Sequence, residues 1–238
     1  MIEAVLFDWG DTLMRWTWDE GYVEEGHRAG LEAIGREPDA ELTARFRESY
    51  LPLLGLPGVL EEVEYPGLIR KLLAEAGIEA DDAALNAFLE AEHAAWGAAR
   101  QLGDTTHALL EALRARGLKL GLVSNAIDPP WLLHRDLEQL GVRELLDVAV
   151  FSSEVGWRKP HPAIFERALE LLGGIAPERA LFVGDSLAND VGGAGALGMT
   201  TVQALWFNAE VYPDGPEPDY QAFTQMDVLN VVGRLSTT

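Results

Sequence analysis

Leu6-Phe7-Asp8-Trp9-Gly10-Asp11-Thr12-Leu13 (LFDWGDTL) is an apolar run that stops abruptly on an acid. Ile2 to Phe7 is almost continuously apolar rather than alternating, the pattern of a strand buried on both faces. A carboxylate delivered to the end of such a strand is costly to bury without a cation or hydrogen bonds. Asp8 therefore calls for a chemical role.

Four further runs read as buried parallel strands: Leu118 to Val123, Val148 to Phe151, Ala180 to Val183 and Thr200 to Leu205. From the second run on they alternate with helical patterns over Asp104 to Arg116, Pro130 to Leu140, Ala163 to Leu172 and Asn189 to Leu197. Turn residues Gly117, Gly141, Gly173-Gly174 and Gly198 separate them. Strand–helix alternation of this kind predicts an α/β fold with a Rossmann-like, doubly wound parallel sheet. The residues between the first two strands break the alternation and read as four helices, Asp19 to Ile34, Ala40 to Leu51, Pro57 to Ala76 and Asp81 to Arg100. Pro38, Gly55-Leu56-Pro57 and Gly77 punctuate them. The expected organisation is a core of residues 1–15 and 101–238 with a helical lid of residues 16–100 inserted after the first strand. That lid overhangs the carboxyl ends of the strands, where such sheets bind ligands. A Pro-rich loop, Tyr212 to Tyr220, precedes a last short strand and a C-terminal helix.

The 238 residues are 48% hydrophobic, enough for a sizeable core. A formal charge of −21 argues against nucleic acid or an anionic membrane as the main partner, because Lys and Arg supply the non-specific term in such binding. Any phosphate must be bound by local groups. With no Cys there is neither a disulfide framework nor thiolate chemistry. MIEAVLF lacks a basic leader, and no apolar stretch approaches the roughly 20 residues of a membrane span, so a soluble, cytoplasmic protein is expected. No feature of the sequence sets an oligomeric state.

Polar residues follow the buried strands at four places: Asp8; Ser124 and Asn125; Lys159 in GWRKPHP; and Asp185 with Asp190 in GDSLAND. Singly, each has a structural reading, Ser124 as a helix cap, Lys159 as a solvated charge, the two Asp as N-terminal caps. Together they describe one crevice with three carboxylates and one ammonium. Like charges so close do not all stay ionised without a cation, and an all-oxygen ligand set points to a hard divalent ion, Mg²⁺ first. A metal, a lysine, a hydroxyl and backbone N–H groups form a cradle for a phosphoryl group, with Asp8 placed to attack phosphorus.

FDWGDTL, VSN, KP and GDSLAND, in that order and each at a strand end, resemble the four motifs of the haloacid dehalogenase superfamily. The likeness is to its phosphatase branch with a helical, C1-type cap, and the closing GALGMTTV resembles the family pattern too. The resemblance implies that Asp8 is the nucleophile and that Ser124, with the backbone N–H of Asn125, holds the phosphoryl oxygens. It implies that Lys159 pairs with Asp8 and the phosphoryl group, and that Asp8, the main-chain carbonyl of Gly10, Asp185 and Asp190 hold Mg²⁺. The expected activity is hydrolysis of a small phosphorylated metabolite through an aspartyl-phosphate. One departure stands out. The family's first motif is Asp-x-Asp-Gly-Thr, whereas here the second acid is replaced by Gly10 and an acid follows as Asp11. The metal-binding carbonyl survives, but the general acid does not, so turnover of alkyl phosphates is expected to be slow unless Asp11, a cap residue or the substrate supplies the proton. A catalytically weakened phosphometabolite-binding or regulatory protein is the alternative. A dehalogenase, which needs no metal, fits Asp185 and Asp190 less well.

GAGALG, Gly193 to Gly198, matches a dinucleotide fingerprint but closes a helix instead of opening one, so close helix packing is the better account. His27, His93, His107, His134 and His161 show no ligand spacing and read mostly as solvated. Trp16 and Trp18 read as hinge packing or crevice lining. Arg28, Arg45 and Arg47 read as solvated helix faces, with contact to a second anionic group as the sharper alternative.

Overall fold

The structure, a computed structural model, describes residues 1–17, 19–53, 59–207 and 214–236. In chain order its elements are β1 (Ala4–Phe7), β2 (Met14–Trp16), α1 (Glu20–Ala33), α2 (Ala40–Tyr50), α3 (Tyr65–Glu75), α4 (Asp82–Ala95) and β3 (Arg100–Leu102). They continue with α5 (Thr106–Ala115), β4 (Lys119–Ser124), α6 (Pro130–Gln139), β5 (Val148–Phe151), α7 (Ser152–Val155), α8 (Pro162–Leu171) and β6 (Ala180–Gly184). Last come α9 (Gly192–Ala196), β7 (Thr200–Ala204), β8 (Tyr220–Ala222) and α10 (Asp227–Ser236).

Six strands form one parallel sheet in the order β5-β4-β1-β6-β7-β8. Every residue of β1 is fully buried, as its apolar run requires of a central strand covered on both faces. The chain leaves β1 for β4 and β5 on one side and returns to β6 and β7 on the other. The carboxyl ends of β4, β1 and β6 thus lie side by side at the switch point of the doubly wound sheet.

Helices α1 to α4 lie between β2 and β3 and build their own apolar cluster around Leu31, Phe46, Ile69, Leu73 and Phe88. Asp19, Asp39 and Asp81 cap α1, α2 and α4, accepting from the N–H groups of Gly21, Leu42 and Ala84 at 2.7, 2.8 and 2.8 Å. Ile127 and Leu132, from the core, pack into the same cluster. The two chain crossings between core and insertion pair as an antiparallel ribbon, with Met14, Arg15 and Trp16 opposite Leu102, Gln101 and Arg100.

Two expectations need correction. The helix expected from Pro57 begins at Tyr65, with Pro66 in its first turn. The described residues before it, Val59 to Glu64, form no helix, and Glu61 bridges to Trp157. Gly55-Leu56-Pro57 lies outside the described residues, as do Trp18 and the start of the Tyr212 to Tyr220 loop. The helix expected over Asn189 to Leu197 is a π-helical turn over Leu187–Val191 followed by the short α9. The ribbon of β2 and β3 was not expected at all. Around GAGALG, a Cβ on Gly193 would fall 2.6 Å from the Phe165 ring, so close packing explains this glycine. No helix among the described residues is long and apolar enough to cross a membrane.

Candidate active site

Asp8 directly follows β1, its N–H donating to the carbonyl of Val183 on β6 at 2.9 Å. Ser124 ends β4, Asp185 follows β6, and Lys159 arrives on the loop between α7 and α8. The fold brings all four strand-end positions to one place. Lys159 Nζ donates to Asp8 Oδ1 at 2.5 Å and to Asp190 Oδ1 at 2.7 Å. Asp8, Asp185 and Asp190 each offer a carboxylate oxygen, and the three oxygens lie within 4.8 Å of one another. All of these side chains, and Ser124, are buried.

The local sequence explains how Asp190 gets there. After β6 the side chain of Ser186 accepts from the N–H of Asn189 at 3.2 Å and starts the π-helical turn, a rare element that recurs at functional sites. That turn carries Asp190 back over the strand end, where its Oδ2 accepts from the N–H of Ser186 at 3.0 Å. Gly184 makes room: a Cβ there would lie 2.3 Å from Asp190 Oδ2.

Three buried carboxylates face one ammonium, a net negative charge that the site does not neutralise by itself. Burial, then Asp190 and Asp8, push Asp185 up to about 8. Burial also raises Asp8, to about 6, against the pull of Lys159. For Lys159 burial alone favours the neutral amine, but Asp190 and Asp8 outweigh it and hold the ammonium charged. This donor set, all oxygen, over-acidic and with no His or Cys in it, fits a hard divalent cation.

Asn125 contributes more than its backbone. Its side-chain oxygen accepts from the N–H of Lys159 at 2.7 Å, and its amide donates to the Lys159 carbonyl at 3.2 Å, tying the loop after β4 to the loop bearing the lysine. At the first motif, Asp11 adopts φ 52°, in the left-handed region that Asp tolerates better than most residues. Its Oδ1 accepts from the N–H of Trp16 at 3.0 Å, so the displaced acid is engaged in holding the turn into β2. Gly10 lies outside the left-handed region, and a Cβ there would meet nothing within 4 Å.

The sequence profile of the haloacid dehalogenase-like hydrolases matches residues 2–198 of this chain. The chain belongs to that family. Among its haloacid dehalogenase-like relatives is a glyceraldehyde 3-phosphate phosphatase of Methanopyrus kandleri, 31% identical over 99% of both chains. Another is a phosphoserine phosphatase of Thermus thermophilus, 31% identical over 91% of this chain and 92% of its own. The fold is shared with a HAD phosphatase from Thermococcus onnurineus, at a TM-score of 0.67 and 24% identity over 98% of both chains.

Two histidines expected at the surface are buried. His27 is enclosed among helices α1 to α4, edge-on to Phe46 and Tyr50. His93 faces carboxylates of the core through both ring nitrogens, Nδ1 to Asp128 at 2.8 Å and Nε2 to Asp136 at 2.9 Å. Arg100 also reaches Asp136 and the His93 carbonyl. Neither position is apolar in type, which is why periodicity alone placed both in solvent. Trp16 packs at the ribbon, its ring centroid 5.9 Å from that of Trp96. Arg28 pairs with Glu25 and Glu32, and Arg45 with Glu75, on exposed helix faces, the solvated reading. Glu62, Ser152 and Arg158, which border the site, escaped the sequence reading, and only the adjacency of Arg158 to Lys159 hinted at one of them.

Proposed function

We propose that this hydrolase cleaves the phosphate ester of a small phosphorylated metabolite, with Asp8 as nucleophile. The observation that carries the reading is the Lys159 ammonium held between Asp8 and Asp190 within the triad of carboxylates. Phosphatase relatives of nearly the same length support it.

In this reading Asp8, Asp185, Asp190 and the main-chain carbonyl of Gly10 hold Mg²⁺. The ion neutralises carboxylate charge and polarises a phosphoryl oxygen. Lys159 keeps Asp8 ionised, orients its carboxylate and offers positive charge to the phosphoryl oxygens. The Ser124 hydroxyl and the N–H of Asn125 donate to those oxygens. Asp8 forms an O–P bond as the bond from phosphorus to the leaving oxygen breaks, giving an aspartyl-phosphate and a leaving group that must gain a proton. Water then cleaves that acyl phosphate, regenerating Asp8 and releasing inorganic phosphate. Helices α1 to α4, within residues 16–100, serve as the cap that covers the crevice and selects the leaving group.

Gly10 brings no acid, and Asp11 is occupied by Trp16, so leaving groups that depart as stable anions are favoured over alkoxides. A slow or binding-only protein of the same fold is the second reading, favoured by that same glycine. A panel of aryl, acyl and alkyl phosphates assayed with Mg²⁺ separates the two. Turnover that disappears in Asp8→Ala supports the hydrolase, whereas tight Mg²⁺-dependent ligand binding without turnover supports the binder.

A further inference from the structure

The segment just before α3 is part of the helical insertion, yet it is sewn to the loops of the site. The N–H of Glu62 donates to the Gly156 carbonyl at 2.9 Å, and the N–H of Arg158 donates to the Leu60 carbonyl at 2.7 Å. This short antiparallel bridge ends one residue before Lys159. The Glu62 side chain is only 1% exposed and turns inward. Its Oε1 lies 3.5 Å from the Arg158 guanidinium and accepts from the N–H of Val63 at 2.9 Å. Its Oε2 accepts from the hydroxyl of Ser152.

Ser152, the first residue of α7, is fully buried, and its single hydroxyl proton is committed to Glu62. The same oxygen accepts from the N–H of Ala126 at 2.8 Å. Ala126 follows Asn125, whose side chain bridges to the Lys159 backbone. A closed circuit results: Glu62, Ser152, Ala126, Asn125, Lys159, Arg158 and back to Glu62. It contains both loops that would hold a phosphoryl group, and one member belongs to the insertion.

We infer that Glu62 is a positioning residue that couples seating of the cap to the geometry of the Ser124-Asn125 and Lys159 loops. A buried charged acceptor holds the Ser152 hydroxyl in one orientation, and that orientation fixes the N–H of Ala126. With the cap lifted the acceptor leaves, Ser152 is free to turn to the Ala126 carbonyl 3.3 Å away, and the loop after β4 relaxes. The phosphoryl pocket is then fully formed only when the cap is down. The kinetic part of this inference rests on the phosphohydrolase reading; the structural part does not.

The test uses the full chain with p-nitrophenyl phosphate and Mg²⁺, together with hydrogen exchange resolved at Ala126 and Arg158. Glu62→Ala is expected to lower kcat by roughly tenfold to a hundredfold with KM little changed, the signature of misplaced groups. Exchange at Ala126 and Arg158 should speed up by a similar factor. Glu62→Gln, which keeps an oxygen for Ser152, should recover most of kcat. A merely structural role would lower Tm and the folded fraction while leaving kcat per folded molecule unchanged. Unchanged kcat in an active enzyme, unchanged exchange, or Glu62→Gln no better than Glu62→Ala overturns the inference. Should Glu62→Ala not fold, Ser152→Ala cuts the same link from the core side and is read identically. If the wild type hydrolyses no phosphate ester, the phosphohydrolase reading fails, and exchange at Ala126 still decides the coupling.

Discussion

Lys159 Nζ sits 2.5 Å from Asp8 Oδ1, and the same ammonium reaches Asp190 Oδ1 at 2.7 Å. This one ammonium bridges both carboxylates, so its removal leaves like charges facing each other in a buried site. Lys159→Met is expected to lower kcat by about 10²- to 10³-fold, the cost of deleting one preorganised electrostatic donor. Stability of the metal-free protein should fall by about 3–5 kcal/mol at neutral pH. Aryl phosphate kinetics and urea melts check the two effects. A Lys159→Met variant with wild-type kcat would remove lysine from the proposed chemistry.

The surplus of carboxylates gives a second expectation. Mg²⁺ that binds only the folded protein raises its stability by mass action, by about 2.7 kcal/mol at a hundredfold excess over Kd. At roughly 2–4 °C per kcal/mol for a chain of this size, that shift is easily seen in a thermal melt. Asp185→Asn relieves repulsion within the triad, so in chelator the variant should melt above the wild type. It should also lose most of the Mg²⁺-induced gain together with activity. Activity that persists unchanged in chelator would remove the metal from the site.

The positions of the strand ends were readable because a strand covered on both faces must be apolar throughout, and its first polar residue then marks the crevice. Asp8, Ser124 and Asp185 follow directly from that regularity, whereas Lys159 and Asp190 lie farther along the loops that it marks. The ribbon of β2 and β3 carries no such mark. Three residues on each side, Met14-Arg15-Trp16 and Arg100-Gln101-Leu102, pair because the insertion brings its own two ends together, not because of local pattern. Glu62 was hidden for a related reason. Glu61-Glu62-Val63-Glu64 falls inside the helix expected over Pro57 to Ala76, where nothing in the local pattern sets one acid apart, and only the docking of that segment on Gly156–Arg158 buries the side chain of one of the three.

His93 yields a pH signature. Burial alone would lower its basicity, but hydrogen bonds to Asp128 and Asp136 outweigh both burial and the Arg100 charge, and its pKa is raised. Burial likewise opposes ionisation of Asp128, yet His93 and Arg100 hold that carboxyl below its usual value. The imidazolium therefore adds stability below its ordinary pKa of about 6.5, lost as pH climbs through the raised folded value. The Asp128 share is present above about 3.9 and lost in acid as pH falls through its lowered folded value. Between about 4 and 6.5 both act. His93→Gln should cost about 1–3 kcal/mol in that window, with the gap from wild type narrowing at alkaline pH. Melting curves from pH 5 to 9 measure it, and a gap independent of pH would mean that His93 is neutral in the folded protein.

The last expectation concerns Gly10 and Asp11, whose order reverses the Asp-Gly of the family motif. The turn keeps its left-handed residue at position 11, φ 52°, where Asp takes the place of a glycine and bonds the N–H of Trp16. Asp11→Ala should therefore cost about 1–2 kcal/mol, through strain in the left-handed region and loss of that bond, while leaving kcat per folded molecule unchanged. Position 10, by contrast, has ordinary backbone and open space for a Cβ. Gly10→Asp is thus expected to fold normally, to keep the main-chain carbonyl, and to place an acid at family spacing above Asp8. Alkyl phosphate turnover should rise by up to about 10² to 10⁴, the usual yield of a positioned acid–base group. Aryl phosphates, whose leaving groups need no proton, should gain little in the first step. In the wild type, hydrolysis of the aspartyl-phosphate also lacks its base, so an aryl phosphate should give a burst followed by a slower steady state, and Gly10→Asp should diminish or abolish that burst. A folded, Mg²⁺-binding Gly10→Asp variant with no gain on any alkyl phosphate, alongside a wild type without a burst, would place the acid elsewhere. In that event loss of kcat in Asp11→Asn, which preserves the turn but not the proton, would identify Asp11 as its source.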